Sequence, residues 1–128
     1  MACPPASYPN LTDRKTLSVT GGFTYSYINI KAQDSNPTFL LLHGFPSSVY
    51  DWRKQITSLS EAGYGILAPD LLGYGETDHP DDVEEYTQSK MAVHIAEILE
   101  KEGLSQVIGV GHDWYVNNLS INISSIRD

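Results

Sequence analysis

Residues 38–46 read TFLLLHGFP, a run of apolar side chains that ends in a turn of glycine and proline. An uninterrupted apolar run of this length is typical of a strand that is covered on both faces, as in a parallel sheet. Residues 65–68 and 106–110 are similar short apolar runs between turn signals. The sequence therefore predicts three buried strands.

The segments between these strands carry the apolar periodicity of helices. The first predicted helix starts at an N-cap serine, Ser47 or Ser48, and stops at Gly63, and the second runs from about Thr87 to Glu102. Strands that alternate with helices over short connections form right-handed crossovers and a parallel sheet with helices on both faces. The predicted fold class is therefore α/β.

The N-terminal part predicts a different element. Residues 17–19 and 23–30 are rich in β-branched and aromatic side chains and are separated by a Thr-Gly-Gly turn, which favours an antiparallel hairpin at one edge of the sheet. Residues 1–14 contain several prolines, and we expect them to be disordered. Tyr25, Tyr27 and Trp52 are expected to pack in the core or on the sheet.

Composition excludes several classes of partner. The chain of 128 residues has 16 acidic and eight basic residues, a net charge of −8, which disfavours binding to nucleic acid or to anionic lipid. It contains a single cysteine and neither a signal peptide nor an apolar run long enough for a membrane span, so we expect a cytoplasmic protein. The histidines lack metal-ligand spacing, and Gly73-Tyr74-Gly75 lacks the third glycine of a dinucleotide loop, so no metal or cofactor is expected.

Polar residues follow two of the predicted strands at the point where each strand ends. Gly111, two residues before Asp113 and directly after a strand, allows a sharp turn that presents the Asp113 side chain at the start of a helix. The helix dipole favours the anion, so Asp113 could act as a nucleophile without a partner base, although an ordinary N-cap is the alternative. In a parallel sheet the HGFP turn lies at the same end, where the backbone N–H groups of Phe45 and Trp114 could converge on one oxyanion.

Three motifs in order, LLHGFPSSVYDWRKQI, PDLLGYGETD and VIGVGHDW, resemble the N-terminal half of an α/β-hydrolase of the soluble epoxide hydrolase group. We assign residues 15–114 to this partial domain. The resemblance implies that Asp113 attacks a small-molecule epoxide and forms an ester, with Phe45 and Trp114 as oxyanion-hole donors. It also implies a structural role for Asp70. The supporting turns would comprise His43, Gly44, Pro46, Gly111 and His112.

Related activities in the same fold differ at single positions. Haloalkane dehalogenases usually carry Asn where this chain has Phe45, so epoxide hydrolysis is preferred over dehalogenation. Fluoroacetate dehalogenases tend to carry Arg in place of Trp114. Serine esterases are disfavoured because Asp113 occupies the nucleophile position.

The resemblance ends at Trp114. Glycine is expected where Tyr115 stands, and residues 114–128 contain no histidine that could activate water. Residues 115–128 form an atypical tail, and the cap domain is missing, so we expect a truncated or misread product. An alternative hypothesis is a non-catalytic fragment or interaction module. The third strand would lack a neighbour on one side, which predicts self-association through an exposed sheet edge.

Overall fold

A computed structural model describes residues 14–44 and 48–111 of the chain. The described residues form one five-stranded sheet. In chain order its strands are β1 (Arg14–Ser18), β2 (Thr24–Ile30), β3 (Thr38–Leu42), β4 (Gly65–Pro69) and β5 (Ile108–Gly111). Across the sheet the order is β1-β2-β4-β3-β5, so the chain crosses over twice between its parallel strands.

The predicted hairpin is confirmed. β1 and β2 pair antiparallel, and the turn between them contains Gly21 and Gly22, both with positive φ. β1 begins at Arg14, the last residue of the segment that was expected to be disordered. β2 also pairs antiparallel with β4, which joins the hairpin to the parallel part of the sheet.

The parallel strands follow the sequence prediction in position and direction. β3 lies between β4 and β5 and is parallel to both. All of β4 is buried, as expected for a strand with a helix layer on each side. β5 differs from the prediction of a buried strand, because Ile108 is 45% exposed and the other residues of β5 are only partly covered. Among the described residues β5 pairs with β3 alone, which explains this exposure.

The first helical segment is shorter than predicted. Ser48 is the N-cap, and its hydroxyl accepts the Tyr50 N–H at 3.2 Å. The first turn, Val49–Trp52, is 3₁₀, and helix α1 covers only Arg53–Glu61. Short 3₁₀ turns are common where a loop enters a helix.

The second helix, α2, covers Gln88–Lys101 and agrees with the prediction to one residue at each end. Its N-cap is Thr87, whose hydroxyl accepts the Lys90 N–H. A 3₁₀ turn at Val83–Tyr86 precedes it, in a stretch rich in acidic residues.

The two helices cover opposite faces of the sheet. The core on one face contains Ile28, Leu41 and Ala68 together with Ile56 of α1. The core on the other face contains buried tyrosines and leucines of the sheet together with four residues of α2, namely Met91, Ile95, Ile98 and Leu99. Tyr25 and Tyr27 belong to this second core, and the half-buried Trp52 packs against the first core, as predicted. The α/β fold class is therefore confirmed.

Side chains also fasten the hairpin to α2. The carboxylate of Glu97 accepts the Thr20 backbone N–H at 2.9 Å and the Thr20 hydroxyl. At the C-terminal end of the helix Glu102 accepts hydrogen bonds from Tyr27, from Asn29 at 2.8 Å and from Lys15 at 3.0 Å. Burial would raise the pKa of Glu102, but the bonds from Tyr27 and Lys15 and the positive charge of the nearby lysines outweigh it and lower this pKa.

Candidate active site

The carboxyl ends of three parallel strands meet at one edge of the sheet. Leu42, the last residue of β3, lies opposite Gly111, the last residue of β5. β4 ends at Pro69 on the other side of β3. The HGFP turn, the loop that starts at Asp70 and the GHDW segment therefore leave the sheet side by side, as the sequence predicted. In parallel sheets this edge is where ligands bind.

His43 is completely buried directly after β3. Its Nε2 accepts the backbone N–H of Leu71 at 2.9 Å, so the proton must lie on Nδ1, which is 2.9 Å from the carbonyl oxygen of Gly44. The ring also meets the edge of Tyr74, with 5.4 Å between centroids. Burial lowers the pKa of His43. The neutral imidazole thus links the HGFP turn to the loop after β4.

A pH dependence follows from the buried histidines. Burial is the main cause of the lowered pKa of both His43 and His94, so the unfolded chain takes up these protons at a higher pH than the folded chain. The free energy of unfolding should therefore fall as the pH drops below about 6.5, by up to about 1.4 kcal/mol per histidine per pH unit. Urea unfolding between pH 7.5 and 5.5 measures the slope.

The variant His94→Phe shows how much of this pH dependence belongs to His94. His94→Phe keeps an aromatic ring beside Phe23 and Tyr25, at centroid distances of 5.9 and 5.4 Å in the parent, and should show a shallower slope. Stability that does not change over this pH range would contradict the prediction.

Asp70 follows β4 and is completely buried. One carboxylate oxygen accepts the backbone N–H of Val49 at 2.8 Å, and the other accepts the N–H of Glu76 at 3.0 Å. The second oxygen also lies 2.6 Å from Nη1 of Arg14. A buried carboxylate requires such a set of donors to offset its lost hydration. The expected structural role of Asp70 agrees with this geometry.

Arg14 was not identified as part of the site from the sequence. Its guanidinium reaches Asp70 from β1 across 56 positions of chain and also lies 3.3 Å from the hydroxyl of Ser26 and 3.7 Å from Glu76. An ion pair of this sequence separation leaves no local pattern. The sequence does contain one indication of such a partner. Asp70 is an isolated acid that follows a buried strand, and a buried carboxylate requires a cation or several N–H donors from another part of the fold.

The loop after Asp70 turns back on this carboxylate. Gly75 has a φ of 54°, and a Cβ atom added there would overlap the Asp70 side chain. The Thr77 hydroxyl donates to the carbonyl oxygen of Asp70 at 2.6 Å and accepts the Ser26 N–H at 2.9 Å. Gly73-Tyr74-Gly75 is therefore a tight turn packed around Asp70.

The central residues of the predicted chemistry lie outside the described residues. These are Asp113, Trp114 and His112 on one segment and Phe45 and Pro46 on the other. The structure places the residues from which both segments leave the sheet, Gly44 and Gly111, at neighbouring strand ends.

A cleft of about 190 Å³ opens beside His43 and is lined by Asp51, Trp52 and Gln55. The indole N–H of Trp52 is buried and has no hydrogen-bond partner among the residues that the structure describes. Across residues 14–44 and 48–111 no three His, Cys, Asp or Glu side chains are grouped closely enough to hold a metal ion. Within the same ranges, neither helix is long and apolar enough to cross a bilayer.

Comparison with known proteins agrees with the fold. A family model described as "alpha/beta hydrolase fold" matches residues 37–114. This chain belongs to the α/β-hydrolase fold family.

Several relatives that match the chain are epoxide hydrolases. Bifunctional epoxide hydrolase 2 of Sus scrofa is 38% identical over 118 aligned positions, which cover 86% of this chain and 20% of the relative. Epoxide hydrolase 2 of Siraitia grosvenorii is 41% identical over 87 positions, which cover 68% of this chain and 28% of the relative. Among solved structures, a mutant of the Vigna radiata epoxide hydrolase superposes with a TM-score of 0.78 at 33% identity, covering 88% of this chain and 34% of that one. This chain thus spans about a fifth to a third of the relatives' lengths.

Proposed function

We propose that this chain carries the nucleophile of an epoxide hydrolase, with Asp113 as the attacking carboxylate. The observation that supports the proposal is the parallel register of β3 and β5, which starts the HGFP turn and the GHDW segment at neighbouring strand ends. The similarity to epoxide hydrolases adds the substrate class. A small-molecule epoxide is therefore the proposed substrate.

The reaction would proceed in two steps. A carboxylate oxygen of Asp113 bonds to one ring carbon while the carbon–oxygen bond of the ring breaks, and the released alkoxide takes a proton. Water then adds to the ester carbonyl, and the oxyanion accepts hydrogen bonds from the backbone N–H groups of Phe45 and Trp114. The tetrahedral species loses the alcohol oxygen, which gives the diol and restores the carboxylate.

The second step depends on a base that activates water. In this fold the base is a histidine that follows the nucleophile in chain order, and residues 114–128 include none. General-base catalysis contributes roughly 10²–10⁴-fold. A polypeptide of residues 1–128, tested by itself, should therefore accumulate the ester on Asp113.

Trapping this ester tests the proposal. We expect incubation with styrene oxide to add the mass of one epoxide to the chain, and tandem mass spectrometry to locate it on Asp113. The adduct should be lost in Asp113→Asn and kept in Asp81→Asn, which changes an exposed carboxylate. Diol release with many turnovers by residues 1–128 would contradict the expected accumulation of the ester, and adducts spread over surface carboxylates would contradict a specific nucleophile.

The same experiment distinguishes two alternatives to epoxide hydrolysis. A haloalkane dehalogenase-type activity would alkylate Asp113 with a haloalkane and release halide, but Phe45 stands where that activity usually has Asn. A non-catalytic interaction module would give no adduct with either reagent, and the position of β5 at the end of the described sheet favours this second candidate.

Self-association through β5 is the interaction that we propose for such a module. An open strand edge with exposed apolar side chains favours strand pairing between molecules, and a lysine at the edge opposes it. Sedimentation velocity should show concentration-dependent oligomers that Ile108→Lys converts to monomers. Val83→Lys changes a side chain that is 79% exposed but away from this edge, and it should have no effect. Equal effects of both substitutions would argue against an interface at β5.

A further inference from the structure

Asp70 and Leu71, which are adjacent in the loop after β4, hold the chain on both sides of residues 45–47. His43 precedes this segment, and its Nε2 is bonded to the Leu71 N–H at 2.9 Å. Val49 follows it, and its N–H is bonded to the Asp70 carboxylate at 2.8 Å. The loop after β4 therefore sets the positions from which the HGFP turn leaves β3 and enters the 3₁₀ turn.

Asp70 is itself rigidly held. Its side chain is fully buried, and its two oxygens are occupied by Val49, Glu76 and Arg14. The guanidinium of Arg14 is 19% exposed, so it supplies a positive charge that is largely withdrawn from water. A carboxylate with charge-assisted bonds to three separate segments has little freedom to shift.

From this geometry we infer that Asp70 is a positioning residue for the reaction proposed above, on which the inference rests. Asp70 acts through the Val49 N–H: it fixes the C-terminal side of the turn that carries the proposed donor Phe45, while His43 fixes the other side. Arg14 serves as the counter-ion that keeps Asp70 in place. Asp70 itself does not touch the substrate.

The step that depends on this positioning is attack on the ester carbonyl, because only there does an oxyanion form on the carboxyl group of Asp113. Ring opening by Asp113 generates no oxyanion on the carboxylate. Loss of one oxyanion-hole donor costs about 10²–10³-fold in rate, and displacement of such a group by about 1 Å can cost a similar factor. Asp70 should therefore influence ester breakdown and leave ester formation nearly unchanged.

Hydroxylamine separates the two steps because it attacks the ester without the help of a catalytic base. The full chain is first alkylated with styrene oxide, and the excess reagent is removed. Hydroxylamine then adds to the ester carbonyl, the carbon–oxygen bond to the alcohol breaks, and the products are the diol and a hydroxamate on Asp113. Mass spectrometry follows both the formation of the ester and its release.

Val49→Pro removes the N–H that Asp70 binds and leaves Arg14 and Glu76 in place. Proline is tolerated here because Val49 is the first residue of its turn and Ser48 is extended, with φ −156° and ψ −178°. Val49→Ala is the matched variant, since it shortens the same side chain but retains the N–H.

We expect hydroxylamine release to be roughly tenfold slower in Val49→Pro than in Val49→Ala, with equal rates of ester formation. Asp70→Asn should show the same selective loss if it folds, as checked by circular dichroism. Equal release rates in the two Val49 variants would overturn the positioning role of Asp70 but not the proposed function. Absence of any adduct on the parent chain would overturn the proposed function and this inference with it.

Discussion

Gly75→Ala should destabilise the chain by about 3 kcal/mol or more. Gly75 has a φ of 54°, where a residue with a Cβ costs about 1–2 kcal/mol. The added Cβ would also overlap the carboxylate of Asp70, and this carboxylate cannot move without weakening its bonds to Val49 and Glu76. A buried acceptor or donor left unsatisfied costs a further 1–3 kcal/mol, roughly.

Gly103→Ala separates the two contributions. Gly103 has a φ of 74° and follows α2, but nothing lies within 4 Å of a Cβ added there. This variant should therefore lose only the backbone contribution, about 1 kcal/mol. The free energy of unfolding in urea, measured for both variants, gives the difference that belongs to the Asp70 contact. If the two variants lose the same stability, Asp70 is free to move aside and is not the fixed centre described above.

Much of the fold could be predicted from the sequence because it depends on local patterns. The apolar runs of β3 and β4 and the periodicity of α2 indicate directly which residues are buried. Thr87 caps its helix through a hydrogen bond to Lys90, only three positions away. The coincidence of the HGFP turn with the end of β5 was predictable as well. It follows from the parallel direction of β3 and β5 rather than from any single residue.

The remaining features depend on contacts that no local pattern encodes. The exposure of Ile108 depends on what lies beyond β5 in the sheet, whereas its sequence is that of a covered strand. Arg14 was assigned to a disordered segment because residues 1–13 carry turn-forming residues, and its partner lies 56 positions away. The 3₁₀ turn at Val49–Trp52 replaces a helical turn at the point where the Val49 N–H is taken by Asp70.

The interaction between Arg14 and Asp70 should give a large coupling free energy in a double-mutant cycle. Arg14→Gln leaves a fully buried carboxylate without its counter-ion, and Asp70→Asn leaves a guanidinium that is only 19% exposed without its main acceptor. Breaking a buried ion pair on one side costs about 3–5 kcal/mol, and we expect about 3 kcal/mol for each single variant because Arg14 retains some solvent.

The double variant Arg14→Gln/Asp70→Asn should lose much less than the sum of the single losses, with a coupling of roughly 2 kcal/mol or more. Two neutral amides can hydrogen-bond to each other, so neither is left as an uncompensated buried charge. Lys90 and Glu85 provide the control cycle, since their groups are 3.6 Å apart but 48% and 29% exposed, and exposed pairs contribute about 0–1 kcal/mol. Urea unfolding at pH 7.5 measures all of these variants. Additive losses at Arg14 and Asp70 would mean that the N–H groups of Val49 and Glu76 alone hold the carboxylate, and Arg14 would then have no part in keeping Asp70 in place.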